Sequence, residues 1–382
     1  MIGGDYQGLG IVRSLGRHGV PVCIIDDELS IARFSRFTSR AVRVRELRDP
    51  KSSVEIVLQI GRRLGLEGWV LYPTRDETVA AFATHRGQLS GFYRVTTPDW
   101  DITRWAVDKR NTYRLAADLG IPTPRTWYPG SVHDLVEIDA QFPLVLKPAI
   151  KENFMYATKA KAWRVDTREQ LNERYLEASA VTGGDAMMVQ ELVPGDGRHQ
   201  FAYCAFFKDG WAVASMVARR WRQHPPEFGR ASTFVSTVDL PSVTALSEEF
   251  LRTMGYYGLV EVEYKLDPRD ETYKLLDVNA RTWGYHTLGP MAGIDFPYLL
   301  FRDQVGDSVP AQPRARRGVR WVRLLTDLPT AALEIRRGRM RWLAYLRSLR
   351  GVETEAVFDR HDPLPGLVEL ALVPYLLAQR GF

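Results

Sequence analysis

Cysteine is nearly missing from this chain: 382 residues hold only Cys23 and Cys204. Both sit inside apolar, strand-like runs. That excludes a disulfide scaffold and fits buried, reduced thiols in a cytoplasmic protein. Long hydrophobic runs are missing too, since no stretch approaches the roughly 18 apolar residues of a membrane span. The greasy segment LVELALVPYLLA is short, and Glu369 and Pro374 interrupt it. The N-terminus lacks a basic segment followed by an apolar run, so no signal peptide is expected. The seven histidines show no metal-ligand spacing. Internal repeats and low-complexity tracts are also lacking. A net charge of +5 is modest for this length and suits anionic small substrates better than nucleic acid.

What is present is enough chain for two or three domains with real cores. Residues 1 to about 100 alternate strand and helix signals, which predicts a parallel α/β domain. Val20–Asp26 and Trp69–Thr74 are its strand candidates, with helical spacing between them. The opening GGDYQGLGIVRSLGRHG has the form of a glycine-rich turn entering a helix. Only Met1 and Ile2 precede it, too few for the strand expected there, so the natural chain is expected to begin further upstream. A helix is predicted near Lys109–Leu119, ended by Gly120 and by Pro122 and Pro124. Phe142–Ala149 is a strand candidate ending in Lys147. Lys151–Lys161 is predicted to be a polar loop, and Ala186–Gly197 a strand entering a turn. A helix over Val243–Met254 precedes the most informative stretch.

That stretch runs from Gly258 to Gly284: two alternating segments joined by a charged turn, the pattern of a β-hairpin. Glu263 lies on its first strand. Asp277, Asn279 and Arg281 lie at every other position near the end of the second, so they share a face. Carboxylate and carboxamide oxygens suit Mg²⁺, and a neighbouring arginine suits a phosphate that the metal also touches. Glu261 shares the face of Glu263 and is an alternative ligand. A salt-bridged hairpin using Lys265 and Lys274 is the plain alternative, although a carboxamide adds nothing to a charge ladder.

Four landmarks in this order, DKRNTYRLAADLGIPTP, FPLVLKP, VQELVPGDG, and EVEYK followed by LLDVNAR, resemble the ATP-grasp superfamily. Within it the chain resembles the carboxylate–amine or carboxylate–thiol ligases, over roughly residues 1 to 305. The resemblance implies an α/β and α+β architecture. A Rossmann-like domain (1–100) would precede a small lid subdomain (101–192) and a large subdomain with the Mg²⁺ site (193–310). A basic, partly helical extension (311–382) lies outside the shared core. It also implies ATP with one or two Mg²⁺ ions, or Mn²⁺ instead, and phosphorylation of a substrate carboxylate. An amine would then attack the acyl phosphate, leaving ADP and phosphate. Partners would be small carboxylate and amine substrates; a homodimer is compatible with the sequence.

Residue by residue, Lys109 and Lys147 resemble the phosphate-contacting lysines. Gln190, Glu191, Leu192 and Val193 resemble the adenine hinge, with Glu191 near the adenine amino group or ribose. Glu263, Asp277 and Asn279 would hold the metal. Arg281 would lie over the transferring phosphate. The run ARRWRQHPPEFGRAST adds Arg219, Arg220, Arg222 and Arg230, and on a regular strand Arg220 and Arg222 would share a face toward the acceptor carboxylate. The lid segment departs from the family's usual glycines, so Lys159 and Lys161 are expected to supply charge in place of backbone donors. Arg75, Asp76 and Glu77, at an expected strand end, face either an amino substrate or a helix cap.

Two other functions compete. A nicotinamide enzyme would use the glycine-rich start and Asp26, but GGDYQGLG does not fit the G-x-G-x-x-G spacing. A non-catalytic nucleotide-binding or membrane-surface protein would use the basic tail, in which Ile335, Trp342, Leu343, Leu346 and Leu349 fall on one helical face. The plainer expectation is that this face packs on the protein's own core.

Overall fold

The computed structural model describes all residues except Lys151, Gly184, Asp185, Arg230, Gly381 and Phe382. The expectations for Lys151 and Arg230 therefore lie outside the described residues.

The first hundred residues form the expected parallel layer. Strand β1 (Val22–Asp26) pairs with β2 (Thr38–Arg43), and β3 (Val70–Leu71) pairs with β4 (Arg94–Val95), both parallel. Ile2 bridges Ile25 and Pro73 in parallel, so one residue occupies the place where a further strand was expected. The glycine-rich opening enters the helix Tyr6–Arg17, whose N-cap Asp5 accepts a bond from the Gln7 N–H.

A smaller antiparallel sheet follows, made of β5 (Thr126–Trp127), β6 (Leu144–Pro148), β7 (Trp163–Val165) and β8 (Met187–Glu191) in the order β5-β8-β6-β7. Between β6 and β7 the predicted polar loop is largely a helix, Glu152–Thr158. Phe154, fully buried, is the apolar anchor that the polar composition concealed. Lys159 then takes the left-handed conformation (φ 57°) usual for a glycine just past a helix end.

The large sheet contains β9 (Gln200–Lys208), β10 (Trp211–His224), β11 (Ala231–Val238), β12 (Gly258–Asp267), β13 (Thr272–Asn279), β14 (Arg320–Val322) and β15 (Val352–Glu355). Their order is β13-β12-β9-β10-β11-β14-β15. Alternation along β9 and β12 sends one set of side chains to each face. One face joins the core around Leu9, Val12, Cys204, Met216 and Trp321; the other packs Tyr203, Phe207, Val260 and Val262 against Phe250 and Leu251 of the helix Pro241–Met254.

The tail is therefore part of the main sheet through β14 and β15. Buried ion pairs tie it down further: Arg13 to Asp362 at 2.9 Å and Arg323 to Glu369 at 3.0 Å. The single helical face expected over Ile335–Leu349 is two helices, Leu324–Arg336 and Trp342–Leu349, broken where Gly338 takes a φ of 72°. No helix among the described residues is long and apolar enough to cross a membrane.

Candidate active site

The hairpin forms as its alternation requires, with Glu261 opposite Asn279 and Glu263 opposite Asp277. Four oxygen-bearing side chains thus share one face at the sheet's end. Asn279 Nδ2 donates to Glu261 Oε2 at 3.0 Å and to Glu263 Oε1 at 3.1 Å. Tyr285 donates to the other Glu261 oxygen at 2.6 Å. Burial and the nearby Glu263 carboxylate push Glu261 up to about 7. Glu261 touches Asn279 as closely as Glu263 does. Its rank below Glu263 in the sequence reading reflected two glutamates of equal spacing, which a single chain does not separate.

The lysines approach from the other side. Lys109 opens the helix Lys109–Asp118, and its N–H is held by the Ala149 carbonyl just beyond β6. Its ammonium, 7% exposed as a residue, reaches Asp277 Oδ1 at 2.8 Å. Lys147, on β6, donates to the Tyr113 hydroxyl at 2.7 Å, and Tyr113 donates to the Leu276 carbonyl at 2.9 Å. Burial lowers Lys147 to about 8 despite the attraction of Asp277 and Glu263. Tyr113 was missed in the sequence; its place one turn after Lys109 was the available signal.

Two arginines complete the cluster. Arg220 reaches Glu263 at 3.4 Å while donating to Gln200 at 2.5 Å and Gln223 at 3.2 Å. Arg281 grips both oxygens of Asp76, at 2.8 and 3.0 Å. Asp76 and Glu77 open the helix Asp76–Thr84, and Glu77 accepts from Tyr156 of the lid helix at 2.5 Å. Arg75 instead serves its own domain, bonding Asp26 and Asp27 at 2.7 Å each.

Other predicted residues lie elsewhere. The β10 ladder is irregular on both sides of Arg222, so the assumed alternation with Arg220 fails. Arg222 is instead buried in a fork on Asp327, at 2.8 and 2.7 Å, and donates to Ser348 at 2.9 Å. Arg219 stacks over Trp221. The Glu191 carboxylate is engaged by Arg269 at 3.1 Å and Lys274 at 3.3 Å, among other bonds. Gln190 is buried and donates to Thr126 at 2.7 Å, while the Val193 carbonyl accepts from Lys265 at 2.8 Å. Lys265 is thus turned to backbone carbonyls, whereas Lys274 pairs across the hairpin with Asp267 at 2.7 Å as well as with Glu191, so the plain salt-bridge reading holds for Lys274. Lys159 donates to the Ala378 carbonyl at 3.2 Å, and Lys161 is half-buried shortly before β7. His286 is buried beside the Trp283 carbonyl, and burial lowers it to about 4.

Behind the hinge a cavity of about 840 Å³ runs from Leu192 and Gln200 past Gln223 and Lys265 to the tail helices. Its size is that of a ligand pocket. Gln200 and Gln223 line it and also hold Arg220, so it adjoins the cluster.

Among the described residues no group of three or more His, Cys, Asp and Glu side chains is placed to hold a metal ion by itself. The donor set nevertheless fits Mg²⁺, which typically takes one or two carboxylates and completes its shell with water and phosphate oxygens. Glu261, Glu263, Asp277 and Asn279 offer only hard donors.

No known family model matches the chain. The chain is 22% identical over 325 residues to a D-aspartate ligase of Enterococcus faecium (strain Aus0004), covering 80% of this chain and 76% of that protein. Among solved structures it is similar to an L-amino acid ligase from Bacillus licheniformis, with TM-score 0.61, 18% identity, and coverage of 80% of this chain and 73% of that one. It is likewise similar to a biotin carboxylase from Campylobacter jejuni in a β,γ-ATP complex, with TM-score 0.65, 14% identity, and coverage of 84% and 73%. At these identities the structural likeness establishes the fold, and the fold is that of the ATP-grasp proteins.

Proposed function

We propose that this chain is an ATP-dependent ligase that phosphorylates a substrate carboxylate and couples it to an amine. The carrying observation is the meeting of Lys109 and Lys147 with the Glu261, Glu263, Asp277 and Asn279 face across one cleft. The names of the two ligase relatives support an amino acid or related compound as a substrate.

In this reading Lys147 and Lys109 hold the nucleotide's phosphate oxygens as point charges. Lys159 and Lys161 are the candidate lid lysines, Lys159 also donating to the Ala378 carbonyl. The backbone of Gln190–Val193 reads the base edge, with Leu192 and Val193 against the ring. The cavity lined by Leu192 extends from that position and has room for adenosine. Glu263, Asp277 and Asn279 hold one or two Mg²⁺ ions, or Mn²⁺, with Glu261 as a further donor. A bound ion would offset charge on the phosphates. Arg281 and Arg220 orient the acceptor carboxylate and the transferring phosphate.

The carboxylate oxygen attacks the γ-phosphorus and ADP leaves. The amine nitrogen then attacks the acyl carbon, phosphate leaves, and the nitrogen loses a proton. The buried setting keeps water from the acyl phosphate. The segments 1–100, 101–192 and 193–310 are the corresponding domains of this reading. The two free buried thiols agree with a cytoplasmic setting.

An ADP-release screen across amino acids and small carboxylates tests this. ADP and phosphate should appear only with Mg²⁺ and an acceptor. Asp277→Ala and Lys147→Ala should each lower the rate by at least about a hundredfold. AMP and pyrophosphate as products, or no turnover with any acceptor pair, would contradict the proposal.

A further inference from the structure

The helix Trp342–Leu349 was expected to bury its apolar face, and it does the reverse. Trp342, Leu343 and Leu346 are 57, 63 and 43% exposed, whereas Tyr345 is buried. The inner side is firmly held. Tyr345 lies beside the Arg222 guanidinium, 5.1 Å from its ring centroid, and Ser348 accepts from Arg222. Arg222 in turn is locked on Asp327. The outward face is therefore a fixed surface on a folded scaffold.

The chain segment around it carries one sign of charge. From Arg336 to Arg350 the chain holds six arginines and no acidic residue. All six are exposed. Arg337 and Arg339 lie 3.7 to 4.0 Å from Glu334 or Glu227. Arg336, Arg341, Arg347 and Arg350 have no carboxylate partner among the described residues. After residue 310 there are thirteen arginines against seven acidic residues, an excess larger than the net charge of the whole chain.

We propose that the outward face of this helix, with its flanking arginines, docks on an anionic lipid surface. A Trp beside two leucines matches the headgroup–acyl boundary, and the arginines match anionic headgroups. A second copy is a poor occupant, because a twofold interface would bring this all-cationic patch against itself. Nucleic acid would use the arginines but leave the leucines without a role. Other exposed apolar residues, the Leu364, Leu367 and Leu370 row, lie on a helix with no arginine of its own and are not part of the proposal. The docking does not depend on the ligase reading.

The test is sedimentation of the full chain with vesicles. Phosphatidylglycerol mixed equally with phosphatidylcholine should carry the protein down, phosphatidylcholine alone should not, and added salt should release it. The double variant Leu343→Ser/Leu346→Ser should lower the partition by about tenfold or more, with melting temperature unchanged. Arg347→Glu/Arg350→Glu should do the same through charge, which covers the case of a misfolded leucine variant. ADP release without lipid should stay as in the parent. Equal partition for parent and both variants would overturn the proposal. So would equal binding to neutral vesicles, binding to a short DNA duplex as tight as to the vesicles, or lipid-free dimerisation that the leucine variant abolishes.

Discussion

Lys147 has a lowered proton affinity because its ammonium is removed from water and its direct partner is a neutral hydroxyl, Tyr113. Phosphate would supply the missing counter-charge. Nucleotide binding should then raise the lysine's pKa from its value of about 8, so binding above that pH takes up a proton. Affinity should accordingly fall as pH rises through about 8 and be pH-independent on this account well below it. Titration calorimetry at pH 8.5 in buffers of different ionisation enthalpy checks this. Proton uptake in the parent that disappears in Lys147→Met is the expected result; proton release, or uptake unchanged in the variant, would refute it. Arg281 presents the complementary case. Its fork is filled by Asp76, a carboxylate in the position where a substrate carboxylate or phosphate would be gripped.

At the scale of elements, the irregular end of β10 decides which arginine serves which purpose. Arg220 stays with the cluster, while Arg222 crosses to the tail and joins Ser348 and Asp327, to which Thr233 also donates. Breaking a buried pair leaves an uncompensated charge, so Asp327→Ala should cost about 3–5 kcal/mol in urea unfolding. Replacing both partners by Arg222→Met with Asp327→Leu should restore much of that. A single-variant loss under about 1 kcal/mol would show that the pair is not the tail's main tether. The hairpin was legible because period-2 alternation and turn chemistry are local signals. The irregularity was not, because register is set by the neighbouring strands. The lid helix was concealed for a similar reason: it is short, and the burial of its Phe154 depends on partners distant in sequence.

On the scale of the whole molecule, the cleft is made by chain segments far apart in sequence. Lys109 and Asp277 are 168 positions apart, and Arg281 and Asp76 are 205 apart. Residue type and landmark order assigned Lys109 and Asp277 to one site, and the two side chains lie 2.8 Å apart. Those signals did not foretell Tyr113, Tyr285 or the Asp76 clamp, whose contacts join residues distant in sequence. The tail was the least legible part. Its arginines suggested a separate extension, yet Trp321 is fully buried in the main sheet, and the expected inward helical face points out. Short strands such as Arg320–Val322 carry too little periodicity to announce themselves.

The central claim is that oxygens of the Gly258–Asn279 hairpin and the opposing lysines hold a nucleoside triphosphate through a divalent ion. Calorimetric titration of the full chain with ATP, with Mg²⁺ and then with the metal chelated, tests it most directly. The account predicts binding that needs Mg²⁺ and weakens by about ten- to a hundredfold in both Asp277→Asn and Lys147→Met, with melting temperatures close to the parent's. Absence of nucleotide binding in the parent, or equal affinity in the parent and both variants, would contradict it.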